Sequence, residues 1–191
     1  MNEDPVSSIA MIIGAVVVIF VMIAIARAVR IVPQSEAYVV ERLGRFRSVL
    51  HGGIHLLVPF VDRVAARIDL REQVVNFPSQ SVITADQAMV EIDSVIYFQI
   101  TDPRSATYEV ANFLQAIEQL TATTLRNLIG SLDLEETQTS RESINKQLRG
   151  VLDEATGPWG IRVTRVELKS IEPPPNVLSA MVQQITAERT K

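Results

Sequence analysis

The chain has 191 residues, a formal net charge of −4 and no cysteine. Without a thiol, disulfides, thiolate catalysis and Cys-type metal sites are excluded. A slightly acidic chain without a long run of like charge lacks the basic footprint of a nucleic-acid binder, so no nucleic-acid partner is expected.

Residues Ile9 to Ala26 are the first element. All eighteen are apolar apart from Gly14, and the uncharged run reaches back to Val6. At about 1.5 Å per residue such a helix covers most of a hydrocarbon core about 30 Å thick. Ile9, Ile12, Val16, Phe20, Ile23 and Ala26 are taken as positions of a membrane span. A cleaved signal peptide would account for Ala24-Ile25-Ala26. However, Glu3 and Asp4 precede the run, no Lys or Arg does, and the run exceeds a signal core of about 7–15 residues. Length argues against a buried core helix, and the lack of a polar face argues against an interfacial one. Arg27 and Arg30 close the run, and Arg42, Arg45 and Arg47 follow. The positive-inside rule then predicts a single-pass protein of the cell (inner) membrane, with its N-terminus outside and the remainder cytoplasmic.

Ile31 to Gln34 reads as an exit from the membrane, with Pro33 opposing further helix. Ala37–Arg42 is a predicted strand, Gly44 a turn, and Phe46–Leu50 a returning strand. After the turn at His51-Gly52-Gly53 comes a short apolar piece, Ile54 to Val61, interrupted by Pro59. Val64 to Phe77 is strand-like, punctuated by Pro78; Ser81–Thr84 is a further strand. Val90, Ile92, Ser94, Ile96, Phe98 and Ile100 alternate with Glu91, Asp93, Val95, Tyr97 and Gln99, the clearest strand in the chain.

At Asp102-Pro103 the period changes. Asp suits an N-cap and Pro the first helical position, so a short helix runs to about Val110. Asn112 caps a second helix, with Phe113, Ile117, Leu120, Thr124 and Leu128 as its stripe and Gly130 as its end. A third opens at Ser140-Arg141-Glu142, carries Ile144, Leu148, Val151, Leu152 and Ala155 on one face, and stops at Gly157-Pro158-Trp159-Gly160. Ile161–Ile171 is a strand whose alternation slips at Arg165-Val166, the mark of a bulge. Beyond the prolines 173–175, Val177, Met181 and Ile185 fall at fourfold spacing on a last helix that breaks off in mid-pattern at Lys191, as a truncated tail would. The expected architecture is α+β: an anchor over residues 1–30, one domain of antiparallel strands and packed helices over 31–172, and the start of a C-terminal helical (coiled-coil) tail over 173–191.

Several pieces recur together in order: Glu41-Arg42-Leu43-Gly44-Arg45-Phe46, Gly53 to Asp62, Asp93-Ser94-Val95-Ile96-Tyr97, Thr123 to Gly130, Arg141-Glu142, Leu152 to Ile161, Val166-Glu167-Leu168-Lys169, Pro173-Pro174, Ala180-Met181 and Ala187-Glu188-Arg189. In these the chain resembles the stomatin/prohibitin (SPFH, or band 7) superfamily, nearest to bacterial stomatin-like membrane proteins. The resemblance implies a membrane-anchored scaffold. It would homo-oligomerise into rings or cages, organise membrane microdomains, and be paired with membrane proteases or with small NfeD-type membrane proteins. The chain departs from the pattern at Gln87, where many relatives carry Gly, and at its end, where relatives usually continue into a long Ala/Glu-rich helix.

Little in the sequence suggests chemistry. His51 and His55 are the only histidines, and Gly52-Gly53 between them opposes a helical metal pair. There is no Gly-x-Ser-x-Gly, phosphate loop or dinucleotide motif. Glu91 and Asp93 share a strand face and read as solvated carboxylates or an intersubunit salt bridge before acid–base groups. No catalytic residue, cofactor or metal site is therefore assigned, and the protein is not expected to be an enzyme. Leu56, Leu57, Val58 and Phe60 in the apolar piece are candidate membrane contacts, with core packing an equal reading. Arg42, Arg45, Arg47, Arg63 and Arg67 flank them and could meet anionic headgroups at about 1 kcal/mol each. Val177, Met181 and Ile185 form a narrow stripe suited to an oligomer seam. The expected function is a membrane-anchored, homo-oligomeric scaffold in contact with membrane lipid. The alternative is an accessory subunit of a membrane protease, with an AAA+ or NfeD-like partner, in membrane protein quality control.

Overall fold

The computed structural model describes residues 5–172, without the side chains of residues 5–10, 12, 24, 25 and 170–172. Elements follow in the order α1 (Pro5–Ala28), β1 (Val29–Val32), β2 (Glu36–Arg42), β3 (Arg45–Leu50), β4 (Gly53–Leu56), β5 (Asp62–Asp69), β6 (Gln73–Ile83) and β7 (Met89–Ile100). Then come α2 (Pro103–Tyr108), α3 (Phe113–Gly130), α4 (Leu134–Thr139), α5 (Arg141–Thr156), a 3-10 turn (Gly157–Trp159) and β8 (Ile161–Glu172). This is the expected α+β fold of antiparallel sheets with helices. The residues group into two units, Met1–Leu70 and Arg71–Lys191. The candidate seam residues Val177, Met181 and Ile185 lie outside the described residues, as do the side chains of Ile9 and Ile12.

In the first unit, α1 is one continuous helix of 24 residues. Its described side chains run unbroken from Ile13 to Ile23, and all of these are exposed, Val16, Phe20 and Ile23 among them. Among the residues whose side chains are described, no helix is long and apolar enough to cross a membrane. The chain leaves the helix directly into β1, which pairs antiparallel with β4 through Val29↔Leu56 and Ile31↔Ile54. The stretch expected to be a plain exit is thus half of a two-stranded ribbon. Val29-Arg30-Ile31-Val32 is rich in β-branched residues, and the residue before Pro33 is biased away from helix. A second sheet has the order β3-β2-β5. Ala37, Val39 and Val40 of the central β2 are fully buried. The β2–β3 hairpin turns at Leu43-Gly44, with φ of 50° and 80°. Two successive positive φ values match the twist of the flanking strands in a tight hairpin.

The second unit is built on the antiparallel sheet β6-β7-β8. Period-two alternation makes β7 central: Val90, Ile92, Ser94, Ile96, Phe98 and Ile100 are all buried. The expected strand Val64 to Phe77 is really two, because β5 pairs with β2 and β6 with β7. Local periodicity reports which face is apolar and cannot report a change of partner. Pro78 does not end β6. It sits where the register shifts between Phe77 and Gln80, on an edge strand, a place where a missing ladder N–H is tolerated. In β8 the shift between Tyr97↔Arg165 and Phe98↔Val163 puts the extra residue at Thr164, one position before the expected slip.

The helices begin as their caps dictate. The Asp102 carboxylate accepts from the Arg104 N–H at 3.0 Å, and the Asn112 side chain from the Gln115 N–H at 3.1 Å. The buried stripe of α3 is Ile117, Thr121, Thr124, Leu125 and Ile129, with Leu120 and Leu128 only half-buried. The expected stripe was rotated because polar Thr121 occupies its centre; that hydroxyl donates to the Ile117 carbonyl at 2.6 Å and so tolerates burial. α4 has no counterpart in the sequence reading, although Asp133 before Leu134-Glu135-Glu136 is an N-cap signal followed by acids in the first turn. α5 buries Ile144, Leu148 and Leu152 and packs on β8 and α3. Gly160 has φ 69°, and a Cβ there would lie 2.5 Å from the Asp102 carbonyl oxygen. Its own carbonyl accepts from the N–H groups of Thr101 and Asp102.

Leu148→Ala should cost about 2–5 kcal/mol by leaving a core cavity. Gly160→Ala should cost a comparable amount, from about 1–2 kcal/mol of left-handed strain and about 1–3 of overpacking. Urea unfolding followed through Trp159, the sole tryptophan, checks both; a midpoint unchanged for Gly160→Ala would contradict the contact with Asp102.

Candidate functional site

Antiparallel register brings the last residue of β2 opposite the first of β5, so that Arg42 faces Asp62. The Arg42 guanidinium donates twice to the Asp62 carboxylate, from Nε at 2.7 Å and Nη2 at 3.0 Å. Arg47 donates a third bond from Nη1 to Oδ2, and the Val58 N–H a fourth at 2.9 Å. The Asp62 side chain is fully covered, at 0% exposure. The Arg42 hydrogen bond first, then the Val58 N–H and the charges of both arginines, hold its carboxyl well below the usual carboxylate range, against the opposing effect of desolvation. The same bond raises the pKa of Arg42. Sequence reasoning missed Asp62, although a signal exists: it is the single acid between Arg42 and Arg67, among five arginines.

That carboxylate holds the loop from Leu57 to Val61. The Val61 and Asp62 N–H groups both donate to the Val58 carbonyl, and the Val61 carbonyl accepts from the Leu43 N–H at 3.2 Å. At its other end the Leu57 N–H donates at 2.8 Å to the Ala28 carbonyl, one of the groups that the end of α1 leaves unpaired. Leu57 is buried, at 7% exposure, so of the candidate membrane contacts it has no surface to offer. Its three companions do: Leu56, Val58 and Phe60 are exposed, Phe60 at 77%. Phe60 has φ 69°, a strained conformation for a bulky residue, and its ring stacks on Phe20 of α1 with centroids 6.2 Å apart and planes 6° apart. Val29, Ile31 and Ile54 are exposed on the ribbon, and Leu43 protrudes at the hairpin tip. Sequence reasoning missed these because pairing β1 with β4 is what gathers Val29, Ile31, Ile54 and Leu56 onto one face.

A cavity of about 340 Å³ opens beside this loop. Arg27, Arg30, Arg63 and Arg67 line it together with the backbone and side chains of residues 57–60. Arg63 donates at 3.1 Å to Glu41, its cross-strand partner. Arg67 lies over the Tyr38 ring, 5.2 Å from its centroid. The flanking arginines therefore divide: Arg42 and Arg47 are committed to Asp62, whereas Arg67 joins Arg27 and Arg30 at the cavity. Elsewhere, His55 Nε2 donates to the His51 carbonyl at 2.6 Å, and among the described residues no group of His, Cys, Asp or Glu could hold a metal ion. Glu91 is exposed and Asp93 half-buried on β7.

The model of the SPFH domain / Band 7 family matches residues 30–191. The chain belongs to this family. An uncharacterised protein of Mycobacterium tuberculosis is 57% identical to this SPFH chain over 177 residues, 93% of this chain and 46% of that one. A stomatin homologue of Pyrococcus horikoshii is 38% identical over 179 residues, 94% of this chain and 67% of the other. The mitochondrial stomatin-like protein 2 of Bos taurus is 42% identical over 160 residues, 84% and 45% of the two chains. The SPFH chain thus spans about half the length of the mycobacterial relative.

Because the folded-state pKa of Asp62 lies below its unfolded value of about 3.9, its stabilisation is complete above that value and is lost as the pH falls through the folded value. Asp62→Asn should lower the thermal midpoint at neutral pH, by leaving Arg42 and Arg47 without their counter-ion. It should also flatten the acid limb of a melting-temperature profile taken from about pH 7 to about pH 2. An acid limb as steep as that of the parent would show that other carboxylates carry it.

Proposed function

We propose that this SPFH protein is a membrane-anchored scaffold that homo-oligomerises to organise membrane microdomains and the membrane proteins within them. The observation that carries the reading is the exposed apolar surface formed by α1, the β1–β4 ribbon and Phe60. In water such a surface would be a liability, and contiguous exposed apolar patches mark membrane or protein contacts. The proposed span is the whole Ile9 to Ala26 run, which lies on α1. A helix of 24 residues is about 36 Å long, against a hydrocarbon core of about 30 Å. Phe60 stacked against Phe20, two turns inside the helix end, supports shallow burial of the 58–60 loop in the headgroup-proximal leaflet. The arginines that follow the span support a cytoplasmic SPFH domain and an outside N-terminus in the cell membrane.

The stomatin names among the relatives support the scaffold class. Tethering concentrates the subunits in two dimensions, so weak lateral contacts suffice to close a ring. Val177, Met181 and Ile185 are the proposed seam. Nothing in the described residues supplies a catalytic constellation, and the proposed role is not enzymatic.

Extracted in mild detergent, the chain should run as a particle many times its 21.2 kDa mass, and Met181→Glu with Ile185→Glu should reduce it to small species. An alkaline phosphatase fused after Lys191 should be inactive; activity outside the cell would overturn the orientation. A monomeric parent that co-purifies with an AAA+ or NfeD-like protein would replace the scaffold reading with that of a protease accessory subunit.

A further inference from the structure

The cavity at the foot of α1 has the charge and the borders of a headgroup site. Arg27 comes from the last turn of α1, Arg30 from β1, and Arg63 and Arg67 from β5. Three separate elements thus deliver cations to a space of about 340 Å³, near the lower end of the range for small-molecule sites, about 300–1,000 Å³. The carboxylate in its wall, Asp62, is saturated by Arg42, Arg47 and the Val58 N–H. Glu41 is paired with Arg63. Among the described residues, Arg27, Arg30 and Arg67 have no carboxylate partner, and Arg67 is steadied over the Tyr38 ring. The cavity is therefore net positive once its lining carboxylate, Asp62, and the Glu41 paired with Arg63 have been counted. Its mouth is bordered by Val58, Pro59 and Phe60, two of them exposed large apolar residues.

We propose that Arg27, Arg30 and Arg67 bind the phosphate of an anionic phospholipid headgroup, with its acyl chains running past Phe60 along α1. The inference rests on α1 lying in the bilayer as read above. Guanidinium forks suit phosphate oxygens, and three of them around one site favour a doubly charged or closely packed anionic lipid over a zwitterion. The apolar rim distinguishes a lipid from free phosphate, which would gain nothing from Val58 or Phe60. The function that follows is selective: a ring of such sites would gather anionic lipid beneath the assembled domain.

The test uses the full chain reconstituted in phosphatidylcholine bilayers doped with phosphatidylglycerol, re-extracted in mild detergent, with the retained lipid quantified. Phosphatidylglycerol should be retained in several-fold excess over its bulk share. Each Arg→Gln change at 27, 30 or 67 should reduce that excess by about fivefold, the factor equivalent to about 1 kcal/mol per arginine near the surface. Arg→Lys changes at the same positions should keep much of it, and Arg126→Gln, on an exposed face of α3, should keep all of it. Retention at the bulk ratio by the parent chain, or an undiminished excess in the triple Gln variant, overturns the site while leaving membrane anchoring intact. Displacement of the excess by inorganic phosphate in place of lipid would assign the site to a free anion. A chain that partitions into no bilayer overturns the anchor and the site together.

Discussion

The Asp62 carboxylate is the constraint on which the first unit depends. A fully covered carboxylate must have every lone pair answered, and here two guanidinium groups and one backbone N–H answer them. Because these donors come from β2, β3 and the loop before β5, satisfying one charge fixes the relative placement of all three. The Leu57 to Val61 loop cannot relax outward without stripping Asp62 of its backbone donor. Phe60 is thereby held in a strained conformation, and the strain is met by a fold that leaves it no alternative.

This arrangement also sorts the arginines. Counted along the sequence, Arg42, Arg45, Arg47, Arg63 and Arg67 look equivalent. In the fold, Arg42 and Arg47 are structural cations, Arg63 is shared with Glu41, and Arg67 stands with Arg27 and Arg30 around an acid-poor cavity. Local charge density is therefore a poor guide to which cations can meet a partner. What decides is where the neighbouring carboxylates have already been spent.

The second unit has a different character. Its sheet is closed over by α3 and α5, and three of its buried hydroxyls have partners close in sequence: Thr121 to Ile117, Thr137 to Asp133 and Thr156 to Ile161; among the described residues the Ser94 hydroxyl is buried without one. Such bonds satisfy a buried oxygen without recruiting a distant group, so the packing rests on side-chain fit, with Leu148, Leu152, Ile117 and Leu125 all fully buried. The contrast with the first unit is physical: one sheet is covered by its own helices, while the β1–β4 ribbon turns an apolar face outward with no described element covering it.

The sequence alone determined what depends on neighbours within a turn or a pleat. The apolar run from Ile9 to Ala26, the alternation of β7, the Asp102 and Asn112 caps, the Gly44 turn and the family motifs are all readable because period, capping and turn chemistry act over a few residues. The tertiary structure decided everything that required a partner far away. It split Val64 to Phe77 between two sheets, carried β6 through Pro78 on a bulge, and rotated the α3 stripe onto Thr121. It turned Leu57 inward while leaving Phe60 on Phe20, and brought Asp62 to Arg42 across 20 residues. Strand pairing and ion pairing are non-local, and one apolar or charged residue looks like another until the chain has chosen what lies opposite.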